Sequence, residues 1–258
     1  MVHFVNITEE EFLNQKILYK HLSLENALRT LKDKSLWFAN PATWKDPFEK
    51  RFLEAKYTRN GAEVKFKWKD RVFCTCLTQT ITSEAFWNTY SCNEIGIELR
   101  LYRKTLLEEL SRYDDTYKIF IGKVEYLKTD EIKRGLRNIP FNRTIPQGEN
   151  LNTDDFAARL FLLKRIAFSY EDEIRIIIVK ENATLAKGLN ISYNCENTDL
   201  VQRIILDPNI GDYTFNILKS LFVKEYGFTQ IEKDGKMYNR VLRSQLYSKQ
   251  PQVSLKLD

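Results

Sequence analysis

Tyr170-Glu171-Asp172-Glu173-Ile174-Arg175-Ile176-Ile177-Ile178-Val179 decides how this chain is read. From Glu173 to Lys180 it is the most strand-like stretch of the sequence, rich in β-branched residues. Read as the start of a strand, Glu171, Glu173 and Arg175 point the same way, because side chains alternate with period two. Three charges at the mouth of a buried strand suggest a site more than a surface. Two close carboxylates raise each other's proton affinity, and Arg175 lowers it again. Such a pair can stabilise a developing cation or activate a nucleophile. The plainer reading is an ion-paired strand end.

Outward from this strand, the sequence alternates strands and helices without a regular βαβ beat. Residues 17–22 read as a strand. Ser23 can then cap a helix that has Leu24, Ala27, Leu28 and Leu31 on one face. Residues 35–39, 71–78, 94–101 and 200–206 read as strands, and 117–127 as a strand pair. Residues 82–91, 103–112, 153–167 and 212–224 read as helices, the third with Phe156, Leu160 and Leu163 on one face. Asp234-Gly235 signals a hairpin. Residues 138–152 are the longest expected loop, and 243–258 read as a frayed tail. There is no repeat and no linker. One α+β domain over residues 1–258 follows, with helices packed around a mixed or largely antiparallel sheet.

Composition narrows the function. The chain has 258 residues, 43% hydrophobic and 29% charged, enough for a soluble core without metal or disulfide staples. With 9 glycines and 6 prolines it is neither collagen-like nor low-complexity. No apolar run approaches the ~18 residues of a membrane span, so no membrane partner is expected. The 40 basic and 35 acidic residues leave a charge of +5, which permits an anionic partner without demanding one. Residues 1–11 carry neither a basic nor an apolar signal region, so the expected location is cytoplasmic. Cys74, Cys76, Cys92 and Cys195 are then expected to be reduced. Cys74-x-Cys76 is too close for the usual zinc spacing and reads as core. Glycine-rich phosphate loops, H-E-x-x-H and G-x-S-x-G are all absent from the sequence.

Three further constellations remain. Leu18-Tyr19-Lys20-His21-Leu22 places a cation at the end of the first long strand, where it could meet a pyrophosphate or simply water. In residues 37–49, Trp37, Phe38, Trp44 and Phe48 bracket Asn40 and Asp46. That loop is either a wall for a flat ligand or a loop pinned to the core, with Asp46 capping a helix and Pro47 in its first position. Trp87 and Tyr90, at i and i+3, share a helix face that is either core or a stacking platform.

In this order, these stretches resemble a bacterial and archaeal family of unknown function. Its members read roughly L-Y-K-Y-L-S-L, N-D-P-F-E, C-L-S, M-W-x-x-Y-A, G-x-x-I-E-F, W-x-Y-E-x-E-W-R and I-x-x-I-I-L-G-P. Here the counterparts begin with Leu18-Tyr19-Lys20-His21-Leu22-Ser23-Leu24, Asp46-Pro47-Phe48-Glu49 and Cys76-Leu77. They continue with Phe86-Trp87-Asn88-Thr89-Tyr90-Ser91, Gly96-Ile97-Glu98-Leu99, Tyr170-Glu171-Asp172-Glu173-Ile174-Arg175 and Ile204-Ile205-Leu206-Asp207-Pro208. The resemblance covers about residues 17–210. Lys45, Phe86 and Asp207 depart from it, standing for Asn, Met and Gly.

The ordering also looks like the ADP-ribosyltransferase superfamily, though a clean Ser-Thr-Ser middle motif is absent. This resemblance implies a split sheet and NAD as substrate. Glu173 would stabilise the oxocarbenium-like transition state, and Glu171 would orient the acceptor. Lys20 would hold the pyrophosphate as a point charge, and Trp87 or Tyr90 would stack on nicotinamide. The candidate NAD-contacting set is Tyr19, Lys20, His21, Asn40, Asp46, Trp87, Tyr90 and Arg175. The acceptor would be a protein, RNA or DNA, and the chain a toxin or phage-defence effector, with a neutralising partner protein in some cases. Two other classes compete: a non-catalytic binding module, whose aromatic loops form an interface, and a carboxylate-dependent hydrolase or nuclease.

Overall fold

Glu173–Val179 forms a strand whose 7 residues are all buried, the charged Glu173 and Arg175 included. Only Ile176–Val179 is a continuous apolar run, as a strand covered on both faces allows. The computed structural model describes residues 1–54, 57–59, 62–64, 68–81, 83–90, 95–131, 154–182 and 184–248. The first eight strands are β1 (His3–Val5), β2 (Ile17–Ser23), β3 (Ser35–Ala39), β4 (Tyr57–Arg59), β5 (Ala62–Val64), β6 (Val72–Thr78), β7 (Gly96–Tyr102) and β8 (Lys118–Lys123). The remainder are β9 (Glu125–Leu127), β10 (Leu163–Arg165), β11 (Glu173–Val179), β12 (Gly188–Ser192), β13 (Val201–Leu206), β14 (Ile231–Lys233), β15 (Lys236–Tyr238) and β16 (Val241–Arg243). The helices are α1 (Glu9–Asn14), α2 (Leu24–Lys32), α3 (Pro47–Glu54), α4 (Glu84–Tyr90), α5 (Arg103–Ser111), α6 (Asp154–Leu160), α7 (Asn197–Leu200) and α8 (Asp212–Tyr226).

Ten strands make one open sheet in the order β1-β8-β11-β6-β2-β7-β13-β16, with β3 and β12 branching from β6. The sheet is antiparallel except at its two ends, where β1 runs parallel to β8 and β13 to β16. The fold is therefore α+β with a mixed, largely antiparallel sheet, as the sequence predicts. Alternation along β11 divides the core in two. Ile174, Ile176 and Ile178 join Phe73, Leu77, Leu99, Leu31, Leu106 and Phe222 in one cluster. Ile177 and Val179 join Val72, Cys74, Phe120, Ala157 and Phe161 in the other.

Local chemistry explains several boundaries. Ser23 Oγ accepts from Asn26 N and starts α2. Asp46 Oδ1 accepts from Phe48 N, with Pro47 as the first residue of α3. Asp234 and Gly235 both have positive φ, 52° and 71°, the pattern of a tight hairpin turn between β14 and β15.

Two expected elements are corrected. The helix expected over 153–167 ends at Leu160, and the chain turns through Phe161-Leu162 into β10. Periodicity alone does not separate a continuing helix from a buried turn followed by a strand. Likewise, 117–127 holds the two expected strands, but they do not pair with each other: β8 lies in the main sheet, and β9 pairs in parallel with β10. The tail is ordered further than expected. Ser244 N donates to Leu206 O (2.9 Å), and Tyr247 OH to Glu84 Oε1 (2.9 Å). Residues 249–258, the 138–152 loop and Cys92 lie outside the described residues. No described helix is long and apolar enough to cross a membrane.

The turn after α6 leans on Gly122, where a Cβ would sit 2.3 Å from Leu162 Cδ1. Leu162 is itself fully buried, so it has nowhere to move. Gly122→Ala is expected to cost about 1–3 kcal/mol of overpacking. The measurement is the urea midpoint, and an unchanged midpoint would show that Leu162 can yield.

Candidate functional site

The sheet forks at β6. On the edge opposite β11, β2 attaches only through Tyr19 and Thr78, and β3 only through Ala39 and Cys74. Between those two points the backbone ladder is interrupted, and buried polar groups need other partners. Lys20 supplies them: its Nζ donates to Thr75 Oγ1 (2.6 Å) and to Cys76 O (3.3 Å). Its burial pushes its pKa down, against the pull of Cys76 and Glu173. Along β2, Lys20 alternates with Tyr19 and His21, so it faces the side away from theirs.

On the Tyr19 and His21 side of the fork lies a buried charge cluster. Arg175 is 1% exposed. Its Nε and Nη2 reach the two oxygens of Glu173 (2.9 and 3.0 Å), its Nη1 donates to Phe161 O (2.6 Å), and Nη2 also donates to Glu49 on α3. The Trp44 ring covers the guanidinium at 4.5 Å. Lys164, from β10, places Nζ 3.0 Å from Glu173 Oε2 and 2.5 Å from Glu171 Oε2. The Glu173 amide donates to Tyr126 OH (2.9 Å).

Glu171 reaches the cluster by a route the period-two reading did not give. It ends the 3₁₀ turn Ile166–Glu171, and β11 starts only at Glu173. Between them Asp172 takes φ 36°, a left-handed conformation that aspartate tolerates. Gln79 N donates to Asp172 O, Lys123 pairs with its carboxylate at 3.2 Å, and Thr78 Oγ1 donates to Glu171 O. The two glutamates still converge, on one lysine.

The environment pushes the two carboxylates apart. Burial alone would raise the pKa of Glu173, but Arg175 and Lys164 outweigh it and hold it at about 2. For Glu171 burial prevails over the attraction of Lys164, and its pKa rises. Burial opposes the charge of Lys164, yet Glu173 and its neighbours raise its pKa above the ordinary lysine range. Burial, followed by the charge of Glu173, pushes the Cys76 thiol up, which makes it a poor nucleophile.

A crevice of about 20 Å³ opens on this cluster, lined by Tyr19, His21, Cys76, Thr78, Phe86, Glu171 and Glu173 among others. That is room for one water. The His21 ring stacks on Phe86 at 4.5 Å and meets Trp87 edge-on at 5.5 Å. Burial, then Arg100 and Lys20, bring the His21 pKa down to about 3, so the ring is neutral at pH 7.

Of the residues singled out in the sequence, Tyr19, His21, Glu171 and Glu173 meet at this crevice. Arg175 stands behind it, with its donors spent inside the protein. Lys20 is turned to the other side of the fork. Trp87 is 3% exposed and packs behind His21, so it is core rather than an open platform. Tyr90 ends α4, and its side chain lies outside the described residues. Asn40 closes its own loop, accepting from Ala42 N and donating to Lys69 O. Asp46 caps α3 and pairs with Arg165 at 3.1 Å. Trp37 lies over Gly188, where a Cβ would be 2.0 Å from Trp37 Cζ2. The sequence does not single out Lys164 or Tyr126, and it brings in Glu49 only as the end of the Asp46-Pro47-Phe48-Glu49 stretch. The signal for Lys164 was a cation within the apolar run 160–166; Tyr126 gave none. Among the described residues, no group of three or more His, Cys, Asp or Glu side chains is arranged to hold a metal ion.

Residues 86–176 match the model of a family described as Protein of unknown function (DUF2971). The matched stretch carries Lys164, Glu171, Glu173 and Arg175, whereas the β2 and 37–49 motifs lie outside it. A search of curated proteins found no match.

Lys164→Met leaves Glu171 without its ion-pair partner and three carboxylates, Glu49, Glu171 and Glu173, against Arg175 alone, and is expected to destabilise by about 3–5 kcal/mol. Adding Glu171→Gln should recover a large part of that loss in chemical denaturation; no recovery would mean that the two do not interact through Lys164. His21 stays neutral in the fold down to about pH 3, while an unfolded histidine takes a proton near 6.5. The unfolded state therefore binds more protons in that window, and stability falls as pH drops through it. Between about pH 6.5 and 5 the native protein should lose more stability than His21→Asn. Parallel losses would contradict the neutral assignment.

Proposed function

We propose that this chain cleaves the glycosidic bond of NAD and transfers ADP-ribose to a macromolecular acceptor at the Glu171–Glu173 crevice. The observation that carries this reading is the separation of two carboxylates that share one lysine. Pairs whose environments push their proton affinities apart divide into an ionised partner and a proton-transferring one. Glycosidic chemistry uses both roles.

In this reading Glu173, ionised throughout, stabilises positive charge on the ribose as the bond from C1 to the nicotinamide nitrogen breaks. The bonding electron pair leaves with nicotinamide. Glu171, with its raised pKa, accepts the proton from the acceptor group as that group bonds to C1. Lys164 and Arg175 position the carboxylates and do not touch the substrate. Tyr19 and the neutral His21 ring offer flat faces. A crevice of about 20 Å³ admits nicotinamide only if Phe86 leaves His21. A toxin or defence role, and a protein, RNA or DNA acceptor, belong to the same proposal.

One observation favours a second reading, a non-catalytic binding module. The Glu173 carboxylate is saturated by Arg175 and Lys164 and only 3% exposed. The two readings separate on nicotinamide release from NAD, followed by chromatography, with cell extract as a source of acceptors. Transfer predicts release by the native protein and a loss of about 10²–10⁴-fold in Glu171→Gln and in Glu173→Gln, with far-UV circular dichroism unchanged. No release by the native protein, with or without extract, would favour the binding module.

A further inference from the structure

A larger cavity, of about 370 Å³, lies beside Arg100 on β7, Arg203 on β13 and Arg243 on β16, with Ile81, Ile205 and Leu242 among its apolar walls. Arg203 and Arg100 are directly opposite in the antiparallel register, so their side chains share a face of the sheet. Like charges placed so are destabilising unless compensated. Arg100 is compensated by Glu98, Nε to Oε1 at 2.8 Å, and Arg243 by Asp212, Nη2 to Oδ1 at 2.6 Å. Among the described residues no acceptor meets the Arg203 guanidinium, and its buried Nε has no partner. Arg243, in register with Leu206, turns its guanidinium to the other face of the sheet, over Phe215 and Asp212 of α8. On the shared face the two guanidinium groups of Arg100 and Arg203 therefore have the one carboxylate of Glu98, which leaves one positive charge in excess.

We propose that this cavity binds a small phosphate-bearing ligand of the mononucleotide class. A phosphate carries up to two negative charges and three acceptor oxygens. It would satisfy the Arg203 fork and relieve the repulsion from Arg100, since guanidinium and phosphate match as parallel donor and acceptor pairs. The volume is within the usual range of roughly 300–1,000 Å³ for ligand sites. The apolar wall of Ile81, Ile205 and Leu242 suits the flat body of a base. The Arg100 guanidinium also lies 5.5 Å from the Tyr19 ring, which lines the carboxylate crevice, so the two sites are neighbours. The proposal rests on the arginines and stands whether or not NAD is turned over next door.

The test is calorimetric titration of the native protein with AMP, adenosine and inorganic phosphate, repeated with Arg203→Gln and Arg203→Lys. The expected result is that AMP binds and adenosine binds at least about tenfold more weakly. Arg203→Gln should lose at least about tenfold in affinity for AMP, and Arg203→Lys, which keeps the charge without the fork, should fall between. Glu171→Gln should bind AMP as the native protein does. Several results would overturn the proposal: no binding of AMP or phosphate, equal binding of AMP and adenosine, or affinity unmoved by both Arg203 variants. So would loss of AMP binding in Glu171→Gln, which would place the nucleotide in the crevice, or binding of single-stranded oligonucleotide without binding of AMP. If Arg203→Gln does not fold, Arg203→Lys and the comparison of AMP with adenosine decide.

Discussion

A buried guanidinium has to be paired on all sides, and in this protein Arg175 imposes that requirement on four separate segments. Its own strand supplies Glu173, α3 supplies Glu49, the turn after α6 supplies the Phe161 carbonyl, and the 37–49 loop supplies the Trp44 ring. Unpaired, a charge this deep would cost several kcal/mol. The end of α6, the seating of α3 and the face of β11 are therefore tied to one another. The turn that gives Arg175 a carbonyl also sends the chain into β10, and so delivers Lys164 to the two glutamates.

The cluster holds three carboxylates, Glu49, Glu171 and Glu173, against two cations, Lys164 and Arg175. One carboxylate is in excess, and the network resolves this by burying Glu173 among cations and leaving Glu171 nearer the surface. The side chain of Glu171 is 14% exposed and that of Glu173 3%. The same geometry that stabilises the sheet's centre thus generates two acids of unequal strength. The fork at β6 gives them an outlet. Where β2 peels away from β6, the ladder stops, Lys20 takes over its hydrogen bonds on one side, and a crevice opens on the other.

Much of this was legible in the chain. The apolar run after Glu173, the alternation through β7 and the Ser23 cap reflect local rules, and the structure follows them. Glu171 and Glu173 read as a pair in the sequence, but the route that joins them does not: the left-handed turn at Asp172 is held by contacts to Gln79 and Lys123 far away in sequence. The break of the 153–167 helix was hidden for a similar reason, because it answers Arg175 and β9 rather than its own periodicity. Lys20 and Trp87 carried the right chemistry for a ligand, but tertiary packing committed one to mending the fork and the other to the core. The arginine cavity is invisible in sequence, since its three arginines come from strands that only the sheet order brings together.

One lysine holds two glutamates at unequal proton affinity. The most direct test is a pH titration of side-chain carboxyl carbons by nuclear magnetic resonance, with Glu171→Gln and Glu173→Gln used for assignment. Glu173 is expected to titrate near pH 2 and Glu171 above the ordinary carboxylate value of 4.5. Two resonances titrating together near 4.5 would contradict it.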